Sequence, residues 1–196
     1  MLQSAAFYYF RENLFIEMAN YTIETVVLDG LLQSTARIRE VAAGANGDFL
    51  LVAVKGGVCI DEALLDAMCR AVPDEAVMAY SHYRKKSNGC LSDAPTIECQ
   101  SGSLRNDFDF GALLLFRSAA LKSYLAMELD EFEFAGLYQL RLAMERIGRL
   151  FHFCEYVYTV DEDDNRKSGE KQFDYVNPAQ RNVQIEMEQV CTHHLK

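Results

Sequence analysis

The stretch GDFLLVAVKGGVCIDEALL (residues 47–65) predicts a strand, a turn and the beginning of a helix. Its continuous apolar run, residues 49–54, is typical of a strand that is buried on both faces. The run ends at a polar turn, Lys55-Gly56-Gly57, and a helical spacing of apolar residues opens near Asp61. In open α/β sheets, ligands bind just beyond the carboxyl ends of the strands. The turn at Lys55 is therefore the first position to consider as a functional site.

Strands and helices alternate on both sides of this stretch. The pattern predicts strands at residues 23–28, 49–54 and 76–83, and helices at 34–43 and 61–71. Ser34 or Thr35 is the expected N-cap of the first helix, because a hydroxyl there accepts a hydrogen bond from a free backbone N–H. The resulting βαβαβ order implies a parallel sheet with right-handed crossovers.

The second half of the chain mixes element types. It opens with a turn-rich break in which Asn88-Gly89 predicts a hairpin turn. The remaining pattern predicts a short strand at 96–99, a loop at 101–110 and a buried strand at 111–116. It then predicts helices at 118–127 and 137–147, a strand at 150–160, a charged loop at 161–171 and a final helix beginning at Asn177-Pro178.

The whole pattern predicts an α/β protein with a Rossmann-like, mixed and mostly parallel sheet flanked by helices. Residues 1–160 are expected to form one domain, whose first strand is missing or divergent in sequence. Residues 161–196 are expected to add the charged loop and a C-terminal helix, which packs on the domain or leads to a further one. If the helix leads to a further domain, the chain is a fragment of a longer protein.

Composition excludes several function classes. The 196 residues suit one domain, and the net charge of −10 repels phosphate backbones, so nucleic acid is not an expected partner. The apolar runs are too short to cross a bilayer. The first residues lack the basic region and cleavage site of a signal peptide, which favours a cytoplasmic protein.

The six cysteines contain no C-x-x-C pair, and several lie in apolar runs. This pattern favours buried free thiols in a reducing compartment over a zinc site or disulfides.

Three candidate binding residues follow from the positions of the predicted elements. Lys55 lies in the turn after the second strand, although its two glycines match neither a Walker loop nor a dinucleotide fingerprint. Arg37, on the first helix, either reaches a diphosphate at the sheet edge or is solvated. His82 ends the third strand, where it is an acid, a base, a metal ligand or a structural histidine. No second histidine lies near it in sequence, which favours the structural role.

Asp107 and Asp109 form a D-x-D triplet. On a strand, positions i and i+2 share a face, so the two carboxylates would hold one hard cation such as Mg²⁺ or Mn²⁺. The alternative is a chance pattern in an acidic chain, with Arg105 paired to one aspartate.

Four segments in order resemble family 2 glycosyltransferases of the GT-A fold. They are STARIREVAAGANGDFLLVAVKGGVCIDEALLDAM (34–68), AVMAYSHYRKKSNG (76–89), FDFGALLLFRSAAL (108–121) and GLYQLRLAMERIGRLFHFCEYVYTV (136–160). The tail, from residue 165 onward, resembles that of a bacterial subgroup in which another glycosyltransferase domain follows. The resemblance implies a protein that binds a nucleoside-diphosphate sugar and transfers the sugar to a hydroxyl acceptor in glycan assembly.

The chain departs from this family at the positions that carry its chemistry. Val54-Lys55-Gly56 occupies the place of the metal-binding D-x-D, and His82 replaces an aspartate. Gly136-Leu137 stands where inverting members have the E-D pair with the catalytic base, and Gln139 replaces the next aspartate. The ordinary mechanism needs a carboxylate base and a metal that stabilises the leaving diphosphate.

Two hypotheses follow from these residues. In the first, the chain binds a nucleotide sugar through Asp29, Arg37, Lys55 and His82, with Lys55 in place of the metal's charge and Asp107 or Asp109 as the base. Mn²⁺ or Mg²⁺ would be a cofactor, but no ligand set for it is identified. In the second, the chain is a catalytically degenerate module that binds a glycan, docks a second transferase domain or forms a homo-oligomer. The missing carboxylates argue against turnover by this chain.

Overall fold

The structure is a computed structural model that describes residues 7–9, 15–18, 20–28, 30–162 and 178–196. Within these residues the chain forms one nine-stranded mixed sheet and five helices. The strands are β1 (Phe7–Tyr9), β2 (Phe15–Glu17), β3 (Thr22–Val27), β4 (Phe49–Ala53), β5 (Val58–Asp61), β6 (Ala76–Ser87), β7 (Cys90–Ala94), β8 (Leu113–Arg117) and β9 (Arg149–Asp161). The helices are α1 (Thr35–Ala43), α2 (Glu62–Ala71), α3 (Ser118–Leu125), α4 (Gly136–Ile147) and α5 (Pro178–His194).

The strand order is β1-β5-β9-β6-β8-β4-β3-β2, and β7 pairs with β6. Strands β3, β4, β6 and β9 run in one direction, and β8 lies antiparallel between β4 and β6. The sheet is mixed, as expected, but the prediction of a mostly parallel sheet is wrong. Among the strand pairings of the described residues, only β3–β4 and β6–β9 are parallel. An apolar run such as that of β8 has the same pattern in either direction, so the sequence did not reveal its reversal.

The central stretch folds as its sequence predicts, with one addition. All five residues of β4 are buried, and the chain turns at residues 54–57. The four-residue strand β5 then pairs with β9 before Asp61 caps α2, accepting a hydrogen bond from the Leu64 N–H at 3.2 Å. At the other predicted helix start, the Ser34 hydroxyl accepts from the Arg37 N–H at 3.1 Å, which confirms Ser34 as an N-cap.

The predicted hairpin at Asn88-Gly89 is confirmed. Both residues have positive φ, 50° and 76°, as a two-residue hairpin turn requires. The short strand predicted at 96–99 is wrong, because the return strand is β7, which begins directly after the turn. Pro95 follows β7 and has no N–H to continue the ladder, so pairing stops before residue 96.

Helix α4 lies at the centre of the helical layer. All its residues from Gly136 to Met144 are buried, and it contacts α1, α3 and α5. Helix α5 packs on it through Val190, which is buried together with Phe132 and Leu142. No helix in the described part of the chain is both long enough and apolar enough to cross a membrane.

The first residue of α4 is held against the N-cap of α1. The Gly136 N–H donates to the Gln33 carbonyl at 2.7 Å. A Cβ atom at Gly136 would lie 2.5 Å from both the Ser34 carbonyl carbon and the Thr35 nitrogen. Because these contacts are with backbone, no side-chain rotation relieves them, and any larger residue forces the two helices apart.

We expect Gly136→Ala to lower the free energy of unfolding by about 1–3 kcal/mol, the usual cost of overpacking. Chemical denaturation measures this change. Gly56→Ala is the matched control, because nothing lies within 4 Å of a Cβ there. Equal stability of the Gly136 variant and the wild type would contradict the close packing of α4 on residues 34–35.

Candidate functional site

The turn after β4 lies at an edge of the sheet where several chain segments meet. Strands β4, β6 and β9 are parallel to one another, so their carboxyl ends reach the same edge. The antiparallel β8 brings its amino end there, and the Val54 N–H donates to the Ala112 carbonyl at 2.9 Å. Five residues from these segments, which we call the Lys55 cluster, lie together: Lys55, Tyr83, Lys85, Asp109 and Glu162.

Lys55 is a partly buried cation in this cluster. Burial lowers its pKa because the charged form loses hydration, and the nearby charge of Lys85 acts in the same direction. The carboxylates of Glu162 and Asp109 oppose this shift without cancelling it. The folded protein therefore holds a cation here at a cost in free energy, which makes Lys55 a candidate binding residue.

Asp109 is fixed by two hydrogen bonds. One carboxylate oxygen accepts from the Gly111 N–H at 2.8 Å, and the other accepts from the Tyr83 hydroxyl at 3.3 Å. Burial, and then the charge of Asp109, raise the pKa of Tyr83 to about 12, so its hydroxyl stays protonated and donates. The Tyr83 ring stacks on Tyr158 with the ring centroids 5.4 Å apart, and the Tyr158 hydroxyl accepts from the Ala112 N–H at 2.7 Å.

Lys85 and Glu162 form the outer side of the cluster. Their charged groups lie 3.8 Å apart at partly exposed positions. The Lys85 ammonium also lies 5.9 Å from the centroid of the Tyr83 ring. An exposed pair of this kind contributes little stability, so Lys85 is free to exchange its partner for an anionic ligand.

Asp107 does not join Asp109. Residues 106–110 form a turn and loop, as predicted for this stretch, so the two carboxylates of the D-x-D triplet have no shared strand face. The exposed Asp107 instead pairs with Arg105 at 3.0 Å, which is the alternative pairing that the sequence offered. The hydrogen bond from Arg105 lowers the pKa of Asp107.

The remaining predicted donor contacts are not part of the Lys55 cluster as the structure describes it. Arg37 lies in the first turn of α1 and forms an exposed ion pair with Glu40 at 2.8 Å. Asp29 lies outside the described residues.

His82 belongs to a second group of side chains that the sequence did not connect. Its Nδ1 accepts from the Thr96 backbone N–H at 3.1 Å, and the Thr96 hydroxyl lies 2.9 Å from Nε2 of His152. His152 stacks on Tyr80 at 4.8 Å, and its Nδ1 lies 3.8 Å from the Cys154 sulfur. We call His82, Thr96, His152 and Cys154 the histidine cluster.

The pairing of β6 with β9 explains why this cluster was missed. Ser81 pairs with Phe153 and His82 with Tyr156, so β9 carries extra residues at this point. Such an irregularity re-aims the neighbouring side chains, and it brings together histidines seventy positions apart in sequence. Burial, and then the charge of His82, lower the pKa of His152, so that ring favours the neutral form.

The cysteines are less buried than the sequence predicted. All six are free thiols, but only Cys69 is fully buried, whereas Cys90 and Cys154 are exposed. Cys154 is exposed because it lies in the irregular part of β9, where the alternation of buried and exposed positions breaks down.

The position expected for a catalytic base is occupied by structural residues. Gly136 has no room for a side chain, as described above. The Gln139 amide is buried, where its oxygen accepts from the Thr35 hydroxyl at 3.0 Å and its nitrogen donates to the Asp130 carbonyl at 2.9 Å. The beginning of α4 therefore joins α1 to the segment before α4. A carboxylate there comes from Glu186 on α5, and it already accepts from the backbone N–H groups of residues 133–135.

A scan of this sequence against protein-family models and a search of the curated proteins each gave no match.

The pKa of Lys55 predicts how this site affects stability. Because its folded-state pKa lies below the unfolded value, the charged side chain destabilises the folded state at neutral pH. This cost disappears as the pH rises through the unfolded pKa, about 10.4 for lysine. We expect Lys55→Met to raise the free energy of unfolding at pH 7 by roughly 0.5–2 kcal/mol, and by less at alkaline pH.

Denaturation at the two pH values measures this difference. Lys122→Met, at an exposed position on α3, is the control, and we expect its effect to stay within about 0.5 kcal/mol. A Lys55 variant that is less stable than the wild type at pH 7 would contradict the interpretation of Lys55 as a costly, functional cation.

Proposed function

We propose that this chain is a GT-A-like domain that binds a nucleoside-diphosphate sugar at the Lys55 cluster, with Lys55 supplying the charge that neutralises the diphosphate. One observation carries the proposal: a partly buried lysine with a lowered pKa follows β4 at the edge where the parallel strands end. The resemblance to family 2 glycosyltransferases places the metal-binding D-x-D at this same turn.

The partly buried ammonium of Lys55 favours the binding of an anionic ligand. An anion that approaches a partly desolvated ammonium interacts more strongly than it would in water, because the effective dielectric constant is lower. Lys85 lies close enough to affect the pKa of Lys55, and its own partner, Glu162, is 3.8 Å away. A diphosphate carries enough negative charge to engage both lysines, which relieves the repulsion between them.

Local positive charge is needed because the chain as a whole is acidic. With a net charge of −10, the average field repels an anionic ligand. A lysine is a single point charge and a weaker diphosphate ligand than a divalent ion. We therefore expect affinities for nucleotide sugars in the micromolar to millimolar range, without a requirement for Mn²⁺.

The same geometry argues for binding without transfer. Glycosyl transfer needs a carboxylate that removes the proton of the acceptor hydroxyl. At the beginning of α4, where the resemblance expects this base, Gly136 is packed against backbone and Gln139 holds two structural hydrogen bonds. Such a module would present its bound sugar nucleotide, or a glycan, to a second transferase domain.

Calorimetric titration with a panel of nucleoside-diphosphate sugars, with and without Mn²⁺, tests the proposal. We expect at least one member to bind, with the same affinity in both buffers. Lys55→Met should weaken binding about tenfold or more, the usual cost of losing a hydrogen bond to a charged group. Affinity should fall as the pH rises through the lowered pKa of Lys55, because the neutral amine no longer attracts the diphosphate.

Lys122→Met serves again as the control, with affinity expected to be unchanged. The absence of binding heat at millimolar ligand, or binding that only Mn²⁺ allows, would remove the proposal.

A second candidate function, glycosyl transfer with Asp109 as the base, is favoured by the position of Asp109 beside Lys55. Both Asp109 oxygens already accept hydrogen bonds, from Gly111 and Tyr83, which argues against it. Release of nucleoside diphosphate in the presence of a hydroxyl acceptor separates the two candidates. Turnover that is lost in Asp109→Asn would establish transfer, whereas we expect no turnover by the wild type.

A further inference from the structure

The histidine cluster contains three potential metal ligands from two neighbouring strands. His82 lies on β6, and His152 and Cys154 lie on β9. The ligand atoms that these residues offer lie within 4.8 Å of one another. Ligands of a tetrahedral zinc ion, at about 2.0–2.3 Å from the metal, are themselves roughly 3.3–3.8 Å apart. The His152 Nδ1 and Cys154 sulfur already have such a separation, 3.8 Å.

Thr96 supplies the outer contacts that a metal-binding histidine pair needs. Its hydroxyl oxygen lies 2.9 Å from Nε2 of His152 and 3.3 Å from Nδ1 of His82. A histidine that binds a metal through one nitrogen usually donates the N–H of the other nitrogen to an acceptor. One hydroxyl oxygen with two lone pairs can accept from both rings. The nitrogens left for a metal are then His152 Nδ1 and His82 Nε2.

The His82 ring needs a proton shift and a small rotation to reach this state. In the structure, His82 Nδ1 accepts from the Thr96 backbone N–H. A metal at Nε2 moves the ring proton to Nδ1, so this hydrogen bond is given up and the new Nδ1–H turns to the Thr96 hydroxyl oxygen, which lies 3.3 Å away. Cys154 loses its thiol proton to solvent when it binds the metal. Its exposed position gives an ion direct access to the cluster.

We propose that His82, His152 and Cys154 bind one Zn²⁺ ion, with Thr96 as the shared hydrogen-bond acceptor behind the two histidines. Imidazole and thiolate ligands select zinc and other borderline metals, whereas Mg²⁺ and Ca²⁺ prefer oxygen. Three protein ligands leave the fourth position to water. This site is separate from the Lys55 cluster and does not depend on the proposed function.

The experiment uses Co²⁺ as a spectroscopic replacement for Zn²⁺ in the whole chain. We expect one Co²⁺ per chain, with tetrahedral visible bands and a thiolate-to-cobalt charge-transfer absorption that added Zn²⁺ removes and Mg²⁺ does not. Cys154→Ser should abolish the charge-transfer absorption. Cys90→Ser is the matched control, because Cys90 is also exposed but lies outside the cluster, on β7.

Thr96→Val tests the outer contacts, because it removes the hydroxyl and keeps the shape and the backbone N–H. We expect it to lower zinc affinity 10–100-fold in competition with a chromophoric chelator, and circular dichroism checks that the variant is folded. Absence of the charge-transfer absorption in the wild type, or its persistence in Cys154→Ser, would overturn the proposal. Unchanged zinc affinity in Thr96→Val would overturn the role of Thr96.

Discussion

The parallel pairing of β6 with β9 is the interaction on which both proposed sites depend. It places Tyr83 opposite Tyr158, whose stacked rings support the Lys55 cluster. One step earlier, the irregular register brings His152 and Cys154 beside His82. A β6–β9 pairing without the irregularity would keep either the tyrosine stack or the histidine cluster, but not both. The reason is that a register shift of one residue turns every side chain of a strand to the opposite face. Because of the extra residues in β9, the neighbouring residues His82 and Tyr83 of β6 contact different partners, His152 and Tyr158.

The second feature on which the proposed anion site depends is the position of a partly buried cation. Because the chain as a whole is acidic, an anion can bind only where local positive charge is held. Lys55 is held at such a point, by a turn that ends a fully buried strand. The antiparallel insertion of β8 is equally important, because it brings the loop with Asp109 to the same edge. The charges of the Lys55 cluster sum to zero, but its two lysines repel each other and the Lys85–Glu162 pair is partly exposed, so Lys85 can exchange this partner.

The local sequence pattern predicted the individual helices, strands and turns better than it predicted how the strands pair. The buried run of β4, the Ser34 cap and the Asn88-Gly89 turn each depend on neighbouring residues, and each was confirmed. The direction of β8 and the pairing of the short β5 depend on distant segments, and periodicity does not carry that information.

The candidate sites show the same contrast between features set by neighbouring residues and features set by distant segments. The turn at Lys55 was found from the sequence, because the end of a buried strand is a local feature. Asp107 and Asp109 do not share a strand face, because the chain makes a turn at Asp107; their catalytic role stays a prediction. His82 was predicted either as a donor contact or as a structural histidine with no second histidine near it in sequence, and only the β6–β9 register reveals its partner His152. Thr96 carried no sequence signal at all, since its importance comes from lying between two rings.

We propose that a lysine, rather than a divalent metal, binds the diphosphate at the end of β4. A crystal structure of the chain grown with UDP and Mn²⁺ tests this directly. We expect diphosphate oxygens within hydrogen-bond distance of the Lys55 ammonium, with no manganese between the diphosphate and a carboxylate. A manganese ion that bridges the diphosphate to Asp109 or Glu162, or a nucleotide bound away from Lys55, would contradict it.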